Sequence, residues 1–203
     1  MQRTTKGFTL IELLVVIAIV AILAVVVILT LNPAELLKQA RDSNRVSDFA
    51  TLKSAISLYL ADVSTPALIA FATSSATYNN CFVSTPTGAS TSSCHNFATV
   101  SSSSAPTSTT VGNLRKVDGT GWLPVNFTVI SSGAPVGNLP VDPVNNTANY
   151  YSYVATSSNV TFEINTVMES VKFRQGGSGD VVTTDGGNNN LYYEVGTAAG
   201  LAL

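Results

Sequence analysis

Apolar positions along the chain fall into three regimes. The first is a block from Phe8 to Leu31 in which 21 of 24 residues are apolar, the exceptions being Thr9, Glu12 and Thr30. A helix over that block is about 36 Å long, enough to cross a hydrocarbon core of about 30 Å, so the block predicts a membrane-spanning helix. Asn32-Pro33 comes next, and a proline, which lacks a backbone donor and crowds the preceding turn, predicts a bend or a loosened turn. The second regime has a helical period. Phe49, Leu52, Ile56, Tyr59 and Val63 recur three or four residues apart, with Lys53, Ser54, Ser57 and Asp62 between them, predicting an amphipathic helix over 32–63 with one face for a head domain. Its other charges, Glu35, Lys38, Arg41, Asp42, Arg45 and Asp48, are mixed in sign. They read either as a solvated face with local pairs such as Lys38–Asp42 or as groups that pair between copies of the chain.

The third regime, from residue 121 onward, reads as an antiparallel sheet. Gly121 to Ile130 has strand composition, with Pro124 restricting part of it to an edge. Tyr150 to Ala155 and Val160 to Met168 are stronger runs, the second setting Phe162, Ile164 and Thr166 against Thr161, Glu163 and Asn165. Ser157-Ser158-Asn159 joins them as a hairpin turn, and Trp122 and the tyrosines are expected to pack between sheet and helix. Between helix and sheet, 22 of the 47 positions in 64–110 are Ser or Thr, too little apolar surface for a compact element, so an irregular loop is expected there. That loop reads as plainly solvated or as a glycosylated surface. Asn126, Asn145 and Asn159 each begin an N-x-Thr sequon, a short pattern that recurs by chance in a chain rich in Asn and Thr.

Composition narrows the function classes. The chain is 45% hydrophobic but only 11% charged, against roughly a quarter charged in ordinary soluble domains. A net charge of -2 offers no basic surface for duplex nucleic acid. Arg3 and Lys6 precede the apolar block, whose length exceeds the 7–15 residues of a signal-peptide core, so an amino terminus in the cytoplasm and a translocated remainder are expected. Cys81 and Cys94 are the only cysteines, and outside the cytoplasm a disulfide between them stabilises by roughly 3 kcal/mol. His95 beside them raises a metal site, yet two thiols and one imidazole fall short of four zinc ligands. With a single histidine, no Ser/His/Asp or Cys/His constellation can be assembled, and no enzyme is expected.

Glu12 is the residue that a plain anchor does not explain. A carboxylate inside a spanning helix costs about 2.5–3.5 kcal/mol on insertion scales, and the segment holds no basic side chain. Either Glu12 stays solvated near the interface, or a partner comes from elsewhere, such as a free α-amine made by cutting the chain just before the block, on the same chain or on a neighbour.

Lys6-Gly7-Phe8-Thr9-Leu10-Ile11-Glu12-Leu13-Leu14, set between a short basic leader and an unbroken apolar helix, resembles the amino-terminal signal of type IV pilins and of the pseudopilins of type II secretion. The resemblance implies that a prepilin peptidase cuts between Gly7 and Phe8 and methylates the new Phe8 amine. It also implies that Glu12 pairs with the terminal amine of an adjacent subunit during filament assembly. Leu139-Pro140-Val141-Asp142-Pro143 and Tyr150-Tyr151-Ser152-Tyr153 resemble the proline-aspartate-proline turn and aromatic strand of major pseudopilins. Gly176 to Asp180 and Asp185 to Asn190 fall where major pseudopilins bind calcium, which makes Asp180 and Asp185 the expected ligands; the alternative is a plain Gly/Asn turn, and no cofactor is otherwise required.

The implied fold is α+β and pilin-like: a leader over 1–7, a membrane or filament-core helix over 8–31, an amphipathic helix over 32–63, a variable Ser/Thr-rich loop over 64–120, and an antiparallel head over 121–203. The implied function is a structural filament subunit. Its expected partners are other copies of itself, a prepilin peptidase, an inner-membrane assembly platform and, before assembly, the membrane. A major pseudopilin of type II secretion is the alternative within the family, since no cysteine pair lies near the carboxy terminus. A monomeric membrane-anchored surface binding protein is the alternative outside it.

Overall fold

A computed structural model describes residues 7–68, 81–86, 94–95, 97, 107–155 and 160–197, with side chains throughout except at position 29. The chain divides into two compact units, Met1–Lys38 and Gln39–Leu203.

In the first unit, helix α1 spans Leu10–Leu31. It is apolar on every side and all its described side chains are exposed, as a helix that meets lipid or other helices must be. Asn32 ends α1 in the left-handed region (φ 38°), and α2, Pro33–Asp62, restarts with proline at its first position, where a missing N–H costs nothing. The loosened turn expected at Asn32-Pro33 is thus a full stop between two helices.

In the second unit, α2 buries Phe49, Leu52, Ile56 and Tyr59 as the spacing predicts. They pack with Trp122, Leu123, Phe127, Leu139, Tyr151, Tyr153, Phe162 and Ile164 in one core. Five strands form the sheet: β1 (Phe82–Pro86), β2 (Thr107–Thr109), β3 (Ser152–Ala155), β4 (Phe162–Thr166) and β5 (Tyr193–Gly196), in the order β2-β1-β3-β4-β5. All neighbours are antiparallel except β1 and β2. The α+β architecture is therefore the pilin-like one, and β3 and β4 form the expected antiparallel pair from Ser152↔Asn165 to Ala155↔Phe162. The turn Ser157-Ser158-Asn159 lies outside the described residues, as does most of the Ser/Thr-rich loop.

Two expectations need correction. The 64–120 segment is not wholly irregular, because β1 and β2 both fall within it. Gly121–Ile130 is not a strand. Gly121 to Val125 are buried without alternation, Asp118 and Asn126 make one isolated bridge, and Phe127–Val129 is a 3₁₀ turn. Pro124 cannot donate to a ladder, and the Asn126 side chain captures the Thr128 N–H that a strand would need.

Candidate functional site

The resemblance concentrates on Gly7 to Glu12. Gly7 and Phe8 are exposed and non-helical, with Phe8 84% exposed. Thr9 is the N-cap of α1 and closes a capping box with Glu12. Glu12 Oε2 accepts from the Thr9 N–H at 2.8 Å and from the Thr9 hydroxyl at 2.7 Å, while the Glu12 N–H donates to Thr9 Oγ1 at 3.3 Å. Glu12 thus finds two hydrogen-bond donors on Thr9, three residues away.

The head carries a second charged constellation. Arg45 is completely buried, and its Nε and Nη2 grip Asp142 at 2.7 and 3.0 Å in a two-pronged fork. Its Nη1 donates to Asp42 at 2.7 Å and to Glu169 at 2.8 Å. Arg41 completes the set with two bonds to Glu169. Backbone N–H groups occupy further acceptor positions, Glu169 and Ser170 donating to Asp42, and Val144 and Asn145 to Asp142. Burial opposes the charge on Arg45, but Asp142, Glu169 and Asp42 more than offset it and hold its pKa above the ordinary range. The Arg41 hydrogen bond, with help from Arg45, holds Glu169 below the usual carboxylate range. Asp42 and Arg45 are therefore neither on a solvated face nor available to pair between copies; they fasten α2 to the Asp142 turn and to the segment after β4. The proline-aspartate-proline turn has a physical role here: Asp142 receives the fork, and Pro140 O accepts the Trp122 indole N–H at 2.8 Å. The sequence held a signal for this cluster, since 42 and 45 lie in phase with the apolar stripe 49, 52, 56 and 59.

Cys81 and Cys94 are joined by a disulfide with Cα atoms 6.0 Å apart, so neither thiol remains for a metal. The bridge holds His95 over the sheet face opposite the main core. The ring stacks on Tyr150 at 4.1 Å and its Nδ1 lies 2.7 Å from Ser152 Oγ. Burial lowers the His95 pKa to about 4, so the ring is neutral at pH 7.

Asp180 and Asp185 are engaged by turn donors. Asp180 accepts from the N–H groups of Gly176, Val182 and Thr183 and from the Thr183 hydroxyl. Asp185 accepts from the N–H groups of Gly187 and Glu194. Among the described residues no three His, Cys, Asp or Glu side chains are grouped to hold a metal ion. These N–H donors account for the turn geometry at Asp180 and Asp185.

Residues 2–28 match the family model of the prokaryotic N-terminal methylation motif, the signal of type IV pilin and pseudopilin precursors. Comparison with curated proteins and with solved structures returns no match. The motif supports a pilin- or pseudopilin-type precursor and points to prepilin-peptidase processing and to a structural protein, and among the described residues one helix is long and apolar enough to cross a membrane.

Proposed function

We propose that this chain is the precursor of a structural subunit of a type IV pilus-like extracellular filament and catalyses no reaction. It waits in the cytoplasmic membrane as a single-pass protein with its amino terminus inside. The peptidase cuts between Gly7 and Phe8 and methylates the Phe8 amine, and an inner-membrane platform then adds the mature chain to copies of itself through α1. One observation carries this reading: an exposed, non-helical Gly7-Phe8 junction directly precedes a capped helix that is apolar all round apart from Glu12 and Thr30. Fully burying a large apolar side chain contributes about 1.5–3 kcal/mol, so α1 gains tens of kcal/mol by leaving water for lipid or for other helices.

Intact mass of the mature protein tests the proposal. Loss of Met1 to Gly7 with one methyl group on Phe8 is expected, and an uncut leader refutes it. Glu12→Val is expected to insert and to be processed but to fail in assembly. Normal filaments from that variant remove the role of Glu12.

A further inference from the structure

Three sequons occur in the chain, and the structure separates the two that it describes. At Asn145 the side-chain amide is committed: Nδ2 donates to the Ser84 carbonyl at 3.0 Å, Oδ1 accepts from the Ser84 hydroxyl at 2.8 Å, and the backbone is left-handed with φ 47°. Its nitrogen cannot become a nucleophile without breaking the tie between the 142–146 turn and β1. Asn159 lies outside the described residues.

Asn126 has the opposite arrangement. Its Oδ1 accepts the Thr128 N–H at 3.0 Å and the Thr128 hydroxyl at 2.6 Å, and among the described residues its Nδ2 donates to nothing. The middle residue of the sequon anchors it. Phe127 is fully buried with its ring 6.1 Å from Tyr59, edge to face, while Asn126 is half-buried and Thr128 and Val129 are exposed. The segment is pinned at its far end as well, where Asp62 at the end of α2 accepts from the Ser131 N–H at 2.7 Å. Two donors on Oδ1 stabilise the negative charge that builds on the amide oxygen as Nδ2 gives up a proton, so the nitrogen left open is also the one made more acidic.

We propose that Asn126 is an N-glycosylation site of the translocated head, with a polyprenyl-phosphate-linked sugar as the donor class. Nδ2 attacks the anomeric carbon of the sugar; the C–N bond forms, the bond from that carbon to the phosphate oxygen breaks, and the lipid phosphate leaves with the electron pair. The Nδ2 proton passes to a base of the transferase. The Thr128 hydroxyl acts through Asn126, so Thr128 is a positioning residue.

The test uses full-length protein purified from the cells that make it naturally. Cleavage before aspartates yields one peptide over 118–141, whose single sequon is at Asn126, and another over 142–179, which carries the sequons at Asn145 and Asn159. A sugar mass increment on the 118–141 peptide, located at Asn126 by fragmentation, is expected. It should disappear in Asn126→Gln and Thr128→Val and persist in Thr128→Ser, which keeps the hydroxyl. Retention of the increment in Thr128→Val overturns the assignment of Thr128. An unmodified 118–141 peptide from the native cells, or sugar confined to 142–179, overturns the proposal.

Discussion

Removing the Arg45 side chain isolates the contribution of the ionic cluster. In Arg45→Ala, Asp42 and Asp142, both essentially without exposure, lose the cation between them, and Glu169 keeps only Arg41. Breaking a buried pair by deleting one partner costs about 3–5 kcal/mol, because the remaining charges stay desolvated. For a unit of about 165 residues, each kcal/mol moves the midpoint by about 2–4 °C. A fall of roughly 6–20 °C in Tm is therefore expected. Trp122, the only tryptophan and 1% exposed, reports melting by its fluorescence in detergent-solubilised full-length protein. Arg41→Ala is the internal control. Its side chain is 32% exposed, so its pair with Glu169 is worth at most about 1 kcal/mol and its loss about 4 °C. Equal midpoints for Arg45→Ala and Arg41→Ala refute the idea that one desolvated guanidinium fastens α2 to the head.

Other measurements reach different parts of the molecule. Replacing Cys81 and Cys94 by Ser releases a closure across 13 residues and should lower stability by about 3 kcal/mol, or about 6–12 °C; an unchanged midpoint means the bridge restrains nothing in the unfolded chain. Burial raises the pKa of Glu194, a penalty on the folded state that grows as pH climbs from the unfolded value near 4.3 through the raised folded one. Glu194→Gln should therefore gain in Tm over the parent between about pH 4 and pH 7, and parallel profiles contradict this. Glu169, held low first by Arg41, acts in the opposite sense: its stabilisation is present above its unfolded pKa and is lost as pH falls through the folded one. Chelation of calcium should leave Tm within about 1 °C, because Asp180 and Asp185 are occupied by N–H donors; a stabilisation of several degrees by added calcium overturns that reading.

The legible parts of the fold were those written in local periodicity. The stripe at 49, 52, 56 and 59 and the alternation through Phe162, Ile164 and Thr166 each fix a face from a few adjacent residues. Strand β1 escaped because its composition is that of a loop, and its antiparallel partner β3 lies about 70 residues downstream, Phe82 facing Tyr153. Asp42 and Arg45 escaped because charge on a helix reads as solvated, although their phase places them on the buried side. At the amino terminus the residue types were sufficient to single out Glu12. Its bond to Thr9 is a capping box of ordinary spacing, which the Thr-x-x-Glu pattern at 9–12 already carries.

Helix α1 has no seam. Coiled coils specify partner and register by confining apolar residues to one stripe, and α1 confines them nowhere, so rotation about its own axis presents much the same surface at every angle. Such a helix contributes cohesion with almost no information about orientation. Any ordered array packed through α1 must take its azimuth and its stagger from other residues, and within the helix only Glu12 and Thr30 break the cylindrical symmetry. Thr30 turns its hydroxyl back onto the carbonyls of Val26 and Val27, which leaves Glu12 as the one charged mark by which a neighbour can tell one side of the rod from another.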